Sequence, residues 1–246
     1  MVVAYPQPAK AKSRVVCEAF VQGCGGRISE DYRYRLGTAM FYGVVGIEGL
    51  WHACEGDYVY GDNSFFDCAR GTHFRFSRNK LQDVGEPDYD RLNALNLEIK
   101  PWRRDGRHIV VVMQSPHFMK EVARRPANEW QEATLLTLKK HTDRPIVVRH
   151  WSSDKNERAR SLKHDLDGAW ALVTHMSAAA NEAVLAGIPV FVTGPCAALA
   201  MGLSQIESIE TPRRPDGRRE WAARLAAHQW TLDEVRAGLA WSVLNG

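Results

Sequence analysis

Residues 170–194 read Trp-Ala-Leu-Val-Thr-His-Met-Ser-Ala-Ala-Ala-Asn-Glu-Ala-Val-Leu-Ala-Gly-Ile-Pro-Val-Phe-Val-Thr-Gly. Ala169–Val173 is a continuous apolar run, the pattern of a strand buried on both faces. Thr174, His175 and Ser177 crowd hydroxyl and imidazole groups at its carboxyl end. Ser177 is a helix-capping residue type and Ala178–Ala180 are good helix formers, so a short helix is expected next. Gly187 stops it, and Ile188-Pro189 leads into a second strand at Val190–Thr193. Strand, helix and strand in this order specify an α/β fold with a parallel sheet. A helix N-terminus at the carboxyl end of a parallel strand favours an anion. Glu182 shares a helix face with Ala178. A phosphate near Ser177 and a ribose hydroxyl on Glu182 are then one turn apart, and the segment reads as a nucleotide site. The same pattern also suits a plain βαβ unit whose Ala-rich helix only packs on its sheet.

The surrounding second half repeats the alternation. His108–Met113 reads as a strand, 118–124 and 128–141 as helices, Pro145–Arg149 as a strand and Leu162–Leu166 as a short helix. Arg149 and His150 end their strand one crossover before Thr174, where they are expected to clamp a phosphate, or Arg149 to pair with a carboxylate. The polar loop Trp151–Asn156 follows. Ala197–Leu203 reads as a turn of helix after Gly194, and 220–228 and 232–239 as amphipathic helices. Between these stretches runs the basic loop Pro212–Arg219, whose arginines face a phosphate backbone or only solvent.

The first half is less regular. Met1–Ser13 reads as a loose arm and Arg14–Phe20 as a strand, followed by Gly23-Cys24-Gly25-Gly26-Arg27. Glycines directly after a strand let backbone approach a ligand, and they also make a simple tight turn. Thr38–Val45 is expected as a strand and Ile47–Cys54 as a helix. Tyr58–Tyr60 is a further strand running into Gly61-Asp62-Asn63, which puts a carboxylate and an amide where open α/β sheets place their chemistry. An Asp-Asn turn is the plainer alternative. His73–Arg78 alternates as a strand and Asp88–Leu97 as a helix, and Lys100–Arg107 reads as an interdomain linker.

Composition sets few limits. At 246 residues, 45% hydrophobic and 25% charged, the chain is long enough for one large domain or two small ones. Met1–Arg14 lacks the apolar core of a secretory leader. Ala183–Leu203 is uncharged, but its glycines and prolines cut it into short elements, so no membrane span is expected. Five cysteines without a Cys-x-x-Cys pair suit free thiols in a reducing cytoplasm. His52, Cys54, Cys68 and His73 fit no paired zinc-ligand spacing, so no metal site is expected. A net charge of +3 permits a nucleic-acid partner without arguing for one.

His175-x-Ser177-x4-Glu182-Ala183-x3-Gly187-Ile188-Pro189-Val190 resembles the donor-binding segment of GT-B glycosyltransferases. The continuation, Gly194-Pro195 and Met201-Gly202-Leu203, is similar to capsular-polysaccharide (Kdo-type) transferases and to short bacteriophage proteins, over about residues 145–205. The resemblance implies two Rossmann-type halves, a reduced acceptor-side domain at 1–104 and a nucleotide-sugar domain at 105–246, with C-terminal helices crossing back. It implies a metal-independent hexosyltransferase with no cofactor, using UDP-glucose or a similar nucleotide sugar. Arg149, His150, Thr174, Ser177, Ala178, Glu182 and Gly194 are then the donor residues, with Asp62 as base and His175 beside it in the catalytic role.

The phage proteins carry a similar Asp-Asn, aromatic, Arg, Arg-Asn sequence, which implies acceptor contacts from Asn63, Arg75, Arg78 and Asn79, and the GT-B resemblance implies that the turn with Gly25 and Gly26 faces the acceptor too. By the same resemblance the acceptor is a 5-hydroxymethylpyrimidine flipped out of double-stranded DNA in the host cytoplasm. Arg213, Arg214, Arg218 and Arg219 would hold the DNA phosphates, with Arg103, Arg104 and Arg107 also available. The alternatives are a capsule-type transferase using a CMP- or UDP-sugar, a nucleotide-sugar epimerase, and a GT-B-like binding protein without catalysis.

Overall fold

The computed structural model describes residues 1–33, 37–54, 56–66, 70–151 and 161–246. In chain order the elements are β1 (Val2–Tyr5), α1 (Ala11–Cys24), β2 (Arg27–Ile28), β3 (Thr38–Tyr42), α2 (Glu48–Ala53), β4 (Tyr58–Asn63), β5 (His73–Arg78) and α3 (Tyr89–Ala94). There follow β6 (His108–Val112), α4 (Pro116–Glu121), α5 (Ala127–His141), β7 (Ile146–Arg149), α6 (Leu162–Leu166), β8 (Ala169–Thr174), α7 (Ala179–Leu185) and β9 (Val190–Val192). The chain closes with α8 (Arg218–Ala227), β10 (Trp230–Thr231), α9 (Leu232–Arg236) and α10 (Leu239–Asn245). Two compact units result, Met1–Arg91 with Ala223–Gly246, and Leu92–Ala222.

The first unit holds a six-stranded sheet in the order β10-β5-β4-β3-β1-β2. β1 to β4 run parallel, while β5 and β10 pair antiparallel at one side. Two expectations are corrected here. Val2–Tyr5 is no loose arm but a strand buried at every position. Arg14–Phe20 is no strand but part of α1, because Ser13, Val16, Cys17 and Phe20 repeat at helical spacing and are its buried side. That repeat, packed on Met40, Phe74 and Phe76, overrides the β preference of two adjacent valines. Gly25 and Gly26 therefore follow a helix rather than a strand. Gly25 adopts the left-handed C-cap at φ 66°. The C-terminal segment returns to this unit, where β10 pairs with β5 and Val235, Ala240 and Trp241 pack into the same core.

The second unit holds an all-parallel four-stranded sheet, β7-β6-β8-β9, in a Rossmann-like arrangement. The apolar runs at 109–112 and 171–173 pair side by side and are buried throughout, as parallel strands covered on both faces must be. α5 turns Trp130 and Leu138 into the core beside Ile109, Val111, Val173 and Phe191. The chain passes from β6 to β7 on one side and returns to β8 on the other, so a topological switch point lies between β6 and β8. Lys100–Arg107, expected as a linker, lies inside this unit, with Lys100 N–H donating to Leu185 O (2.8 Å) and Arg103 N–H to Gly187 O (2.7 Å). Among the described residues no helix is long and apolar enough to cross a membrane.

Gly187 joins α7 to β9 at φ 76°, and a Cβ there would meet Pro101 O at 2.0 Å. Gly187→Ala therefore combines backbone strain with a clash and is expected to cost about 2–4 kcal/mol, read as a fall in denaturation midpoint. An unchanged midpoint would show that the 100–103 segment yields freely.

Candidate functional site

Each unit gathers polar side chains at the carboxyl ends of its parallel strands. In the first unit the centre is Asp62, next to last in β4. Its Oδ1 accepts the N–H of Asn63 (2.7 Å), and its Oδ2 accepts from Arg75 of β5 (2.7 Å). The two residues are direct cross-strand partners, so their side chains share a face. Arg75 is buried, and its guanidinium lies 4.9 Å from the centre of the Phe65 ring. Asn63 points to the other face, where its Oδ1 accepts from Lys12 Nζ (2.6 Å) and from the Tyr42 hydroxyl (2.9 Å). Burial pushes the Lys12 ammonium below its ordinary pKa, against the opposing pull of the Asp62 carboxylate. Burial and then Asp62 push the Tyr42 hydroxyl up, keeping it protonated.

Asp62, Asn63 and Arg75 are thus brought together, with Arg75 packed inward as the support of Asp62. Arg78 and Asn79 do not join them. β5 runs antiparallel to β4, so Arg78 pairs opposite Val59 at the far end of the strand. There Arg78 binds Asp57 through two nitrogens (2.8 and 2.6 Å) and lies over Trp241. The Arg78 hydrogen bonds hold the Asp57 carboxyl below its usual range. Asn79 caps the same end, its Oδ1 accepting Tyr58 N–H (2.8 Å). Gly25 and Gly26 precede β2 and so lie at the amino ends of the parallel strands, also away from Asp62. Lys12 and Tyr42 were missed by sequence reasoning. Tyr42 ends a strand, a position that signals a site residue, whereas Lys12 was hidden by the misread arm.

In the second unit the cluster lies at the switch point. The His175 ring is buried, with Nδ1 2.9 Å from Thr193 Oγ1, and that hydroxyl oxygen accepts the indole N–H of Trp130 (2.8 Å). Gly194 lies flat against the imidazole, where a Cβ would come within 2.7 Å of the ring. Burial, and then the charge of Arg125, lower the pKa of His175, so the ring is neutral at neutral pH. Gln114 Oε1 accepts Met176 N–H (3.0 Å) and Ser115 Oγ caps α4 through Phe118 N–H (3.1 Å), both on the turn after β6. Ser177 Oγ accepts Ala179 N–H (3.3 Å), and Ala178 rather than Ser177 is the N-cap residue of α7. Glu182 is half-buried on that helix. Gln114, Trp130 and Thr193 escaped the sequence reading, although Gln114 and Thr193 both follow strand ends.

Two donor expectations change. Thr174 is fully buried and its hydroxyl donates to Val112 O (2.8 Å), so it ties β8 to β6 rather than facing a ligand. Arg149 binds Asp165 Oδ2 at 2.6 Å, and that carboxylate's side chain is only 1% exposed. The carboxylate alternative for Arg149 is therefore the one found. His150, one residue on, is exposed. The polar loop that follows lies mostly outside the described residues, as does Cys68. Among the described residues no three His, Cys, Asp or Glu side chains gather as metal ligands.

The basic loop is also turned to internal use. Arg214 donates to the carbonyls of Arg103 (2.8 Å) and Pro212 (3.2 Å) and lies over Trp170. Arg218 donates to Val184 O (3.1 Å), closing the end of α7, and stacks on Trp102 at 4.1 Å. Arg219 donates to Asn93 Oδ1 (2.9 Å), while Arg213 is exposed. Three of the four arginines expected to grip a phosphate backbone thus have partners inside the unit: backbone carbonyls for Arg214 and Arg218, and an amide oxygen for Arg219. Arg103 likewise donates to Leu166 O and Ala169 O (3.1 and 3.3 Å).

The fold resembles that of KpsC from Thermosulfurimonas dismutans, a beta Kdo 2,7 transferase, with a TM-score of 0.53 at 14% identity over 98% of this chain and 99% of that one. A beta Kdo 2,4 transferase KpsC of the same organism matches with a TM-score of 0.50 at 10% identity, over 90% and 89% of the two chains. No protein-family profile and no curated protein sequence matches the chain. At these identities the likeness is one of fold.

Two outcomes are expected. Arg149→Gln leaves the Asp165 carboxylate buried without its cation and should cost about 3–5 kcal/mol in urea unfolding; a loss under 1 kcal/mol would mean that water reaches the carboxylate. His175 and His228 both have pKa values lowered by burial, so the unfolded chain binds more protons below its own His pKa of about 6.5. Their contribution is complete above that value and is lost as pH falls toward the lowered folded pKa values. The melting temperature should therefore drop between pH 7 and 5.5, before the carboxylates titrate, and His228→Gln should flatten the drop. A melting temperature level across that window would refute the assignment.

Proposed function

We propose that this chain is a glycosyltransferase of GT-B type, with a nucleotide-sugar donor held at the switch point of the second unit and the acceptor activated in the first. The full-length likeness in fold to Kdo transferases carries the reading. The polar ends of β6 and β8, with Gln114, His175 and Ser177 on the turns that follow them, support the donor position, since open α/β sheets bind ligands there. Asp62 supports the acceptor position. Its two oxygens are oriented by Asn63 N–H and Arg75, and a carboxylate retains lone pairs for an incoming hydroxyl.

In this reading the acceptor hydroxyl passes its proton to Asp62 as its oxygen attacks the anomeric carbon. The bond from that carbon to the nucleotide's phosphate oxygen breaks, and the phosphate leaves with the electron pair. Of the possible acceptors a saccharide is better supported than DNA, because the named neighbours act in sugar transfer and Arg214, Arg218 and Arg219 are bonded internally. The donor is then a CMP- or UDP-sugar and the reaction proceeds without a metal ion.

Mass spectrometry after incubation with CMP-Kdo or UDP-hexoses, an oligosaccharide panel and hydroxymethylated duplex DNA tests the proposal. Nucleotide release with mass gain on a saccharide is expected, and it should persist in EDTA. Gain on DNA alone would move the acceptor to the nucleic acid, and no nucleotide release with any donor would remove the transferase reading. Asp62→Asn should lower turnover by roughly 10²–10⁴ while nucleotide binding is kept.

A further inference from the structure

The second unit is rich in arginine, yet its cations are largely consumed internally. Arg103, Arg214 and Arg218 bind carbonyls, Arg144 binds Glu210 and lies over Trp170, and Arg149 binds Asp165. Arg125 differs. It lies in the connection between α4 and α5, just before Pro126, its backbone N–H donating to Met119 O (2.9 Å), and its side chain is exposed, without an ion pair or side-chain hydrogen bond among the described residues. Its position is fixed from the other side. Trp130, in the first turn of α5, donates to Thr193 Oγ1, which is bonded to His175 Nδ1, and the Trp130 and His175 ring centroids are 6.2 Å apart. The start of α5 is therefore pinned to the turns that follow β8 and β9, and Arg125 stands within electrostatic reach of His175.

We propose that Arg125, and not Arg149, is the residue that neutralises the nucleotide's phosphate at the switch point. The inference rests on the donor site proposed above. An exposed guanidinium presents donors in the planar fork that matches phosphate oxygens, and among the described residues no carboxylate is paired with it. It also explains how the site can work with Arg149 committed to a buried partner. Burial is the main cause that lowers the His175 pKa and the Arg125 charge adds to it, so negative charge arriving beside Arg125 offsets that second contribution and links the two groups through the bound phosphate.

Calorimetric titration of the intact chain with CMP and UDP, and with cytidine and uridine as phosphate-free controls, tests this. Arg125→Gln should weaken nucleotide binding by about 10- to 100-fold and leave nucleoside binding unchanged, with Arg125→Lys in between. Lys140→Gln, at the other end of α5, should match the wild type. By NMR the His175 pKa should rise in the free Arg125→Gln variant. In the wild type it should rise on CMP or UDP binding. Equal nucleotide affinity in Arg125→Gln and wild type overturns the inference and leaves the donor site standing. Equal losses for nucleotide and nucleoside overturn it by assigning Arg125 a structural role. Failure of the wild type to bind any nucleotide overturns the donor site and the inference together.

Discussion

The indole N–H of Trp130 donates to Thr193, and the same hydroxyl meets His175. This shared hydrogen bond is the joint of the second unit, since it ties the first turn of α5 to the turns that follow β8 and β9. An indole has one donor and no acceptor, so burying Trp130 requires one oxygen at one place. Thr193 supplies it only if β9 ends where it does, and β9 is positioned by pairing with β8. The closeness of Gly194 to the imidazole belongs to the same constraint, because no side chain fits between the turn and the ring.

A second theme is the treatment of charge. Arg144 and Arg214 both lie over Trp170, while Arg218 lies over Trp102. Their N–H groups reach backbone carbonyls of loops and of the end of α7. The consequence is a basic loop that resembles a phosphate-binding tract by composition and serves as a clasp by geometry. In the first unit Arg75 plays a comparable part under Phe65, and what it holds is the carboxylate proposed for proton transfer.

Much of the architecture was readable along the chain. The apolar runs of β6 and β8, Gly187 as a helix stop, and Asp62-Asn63 at a strand end all follow from local patterns, and each element lies close to its expected residues. Three of the errors share one cause. Arg14–Phe20 contains two valines and an ending Phe, so a window of that size reads as strand, and only the longer repeat from Ser13 to Phe20 shows the helix. Once α1 was misread, Val2–Tyr5 lost its role as the first strand and Gly25-Gly26 was put at the wrong end of the sheet. Arg78 and Asn79 were displaced for a different reason, the antiparallel direction of β5, which no local pattern reveals.

By itself the sequence determined the class of fold, the order of its strands and helices along the second half, and the polar residue types that end those strands. These depend on periodicity and on turn residues, which act over a few positions. Only the tertiary structure decided which charged groups remain available. Arg149 meets Asp165 across 16 residues and Arg218 meets Val184 across 34, while Thr174 turns inward to Val112 across 62. Ion pairs and hydrogen bonds are made between groups that folding brings near, and a guanidinium cannot show in the sequence which oxygen it will find first.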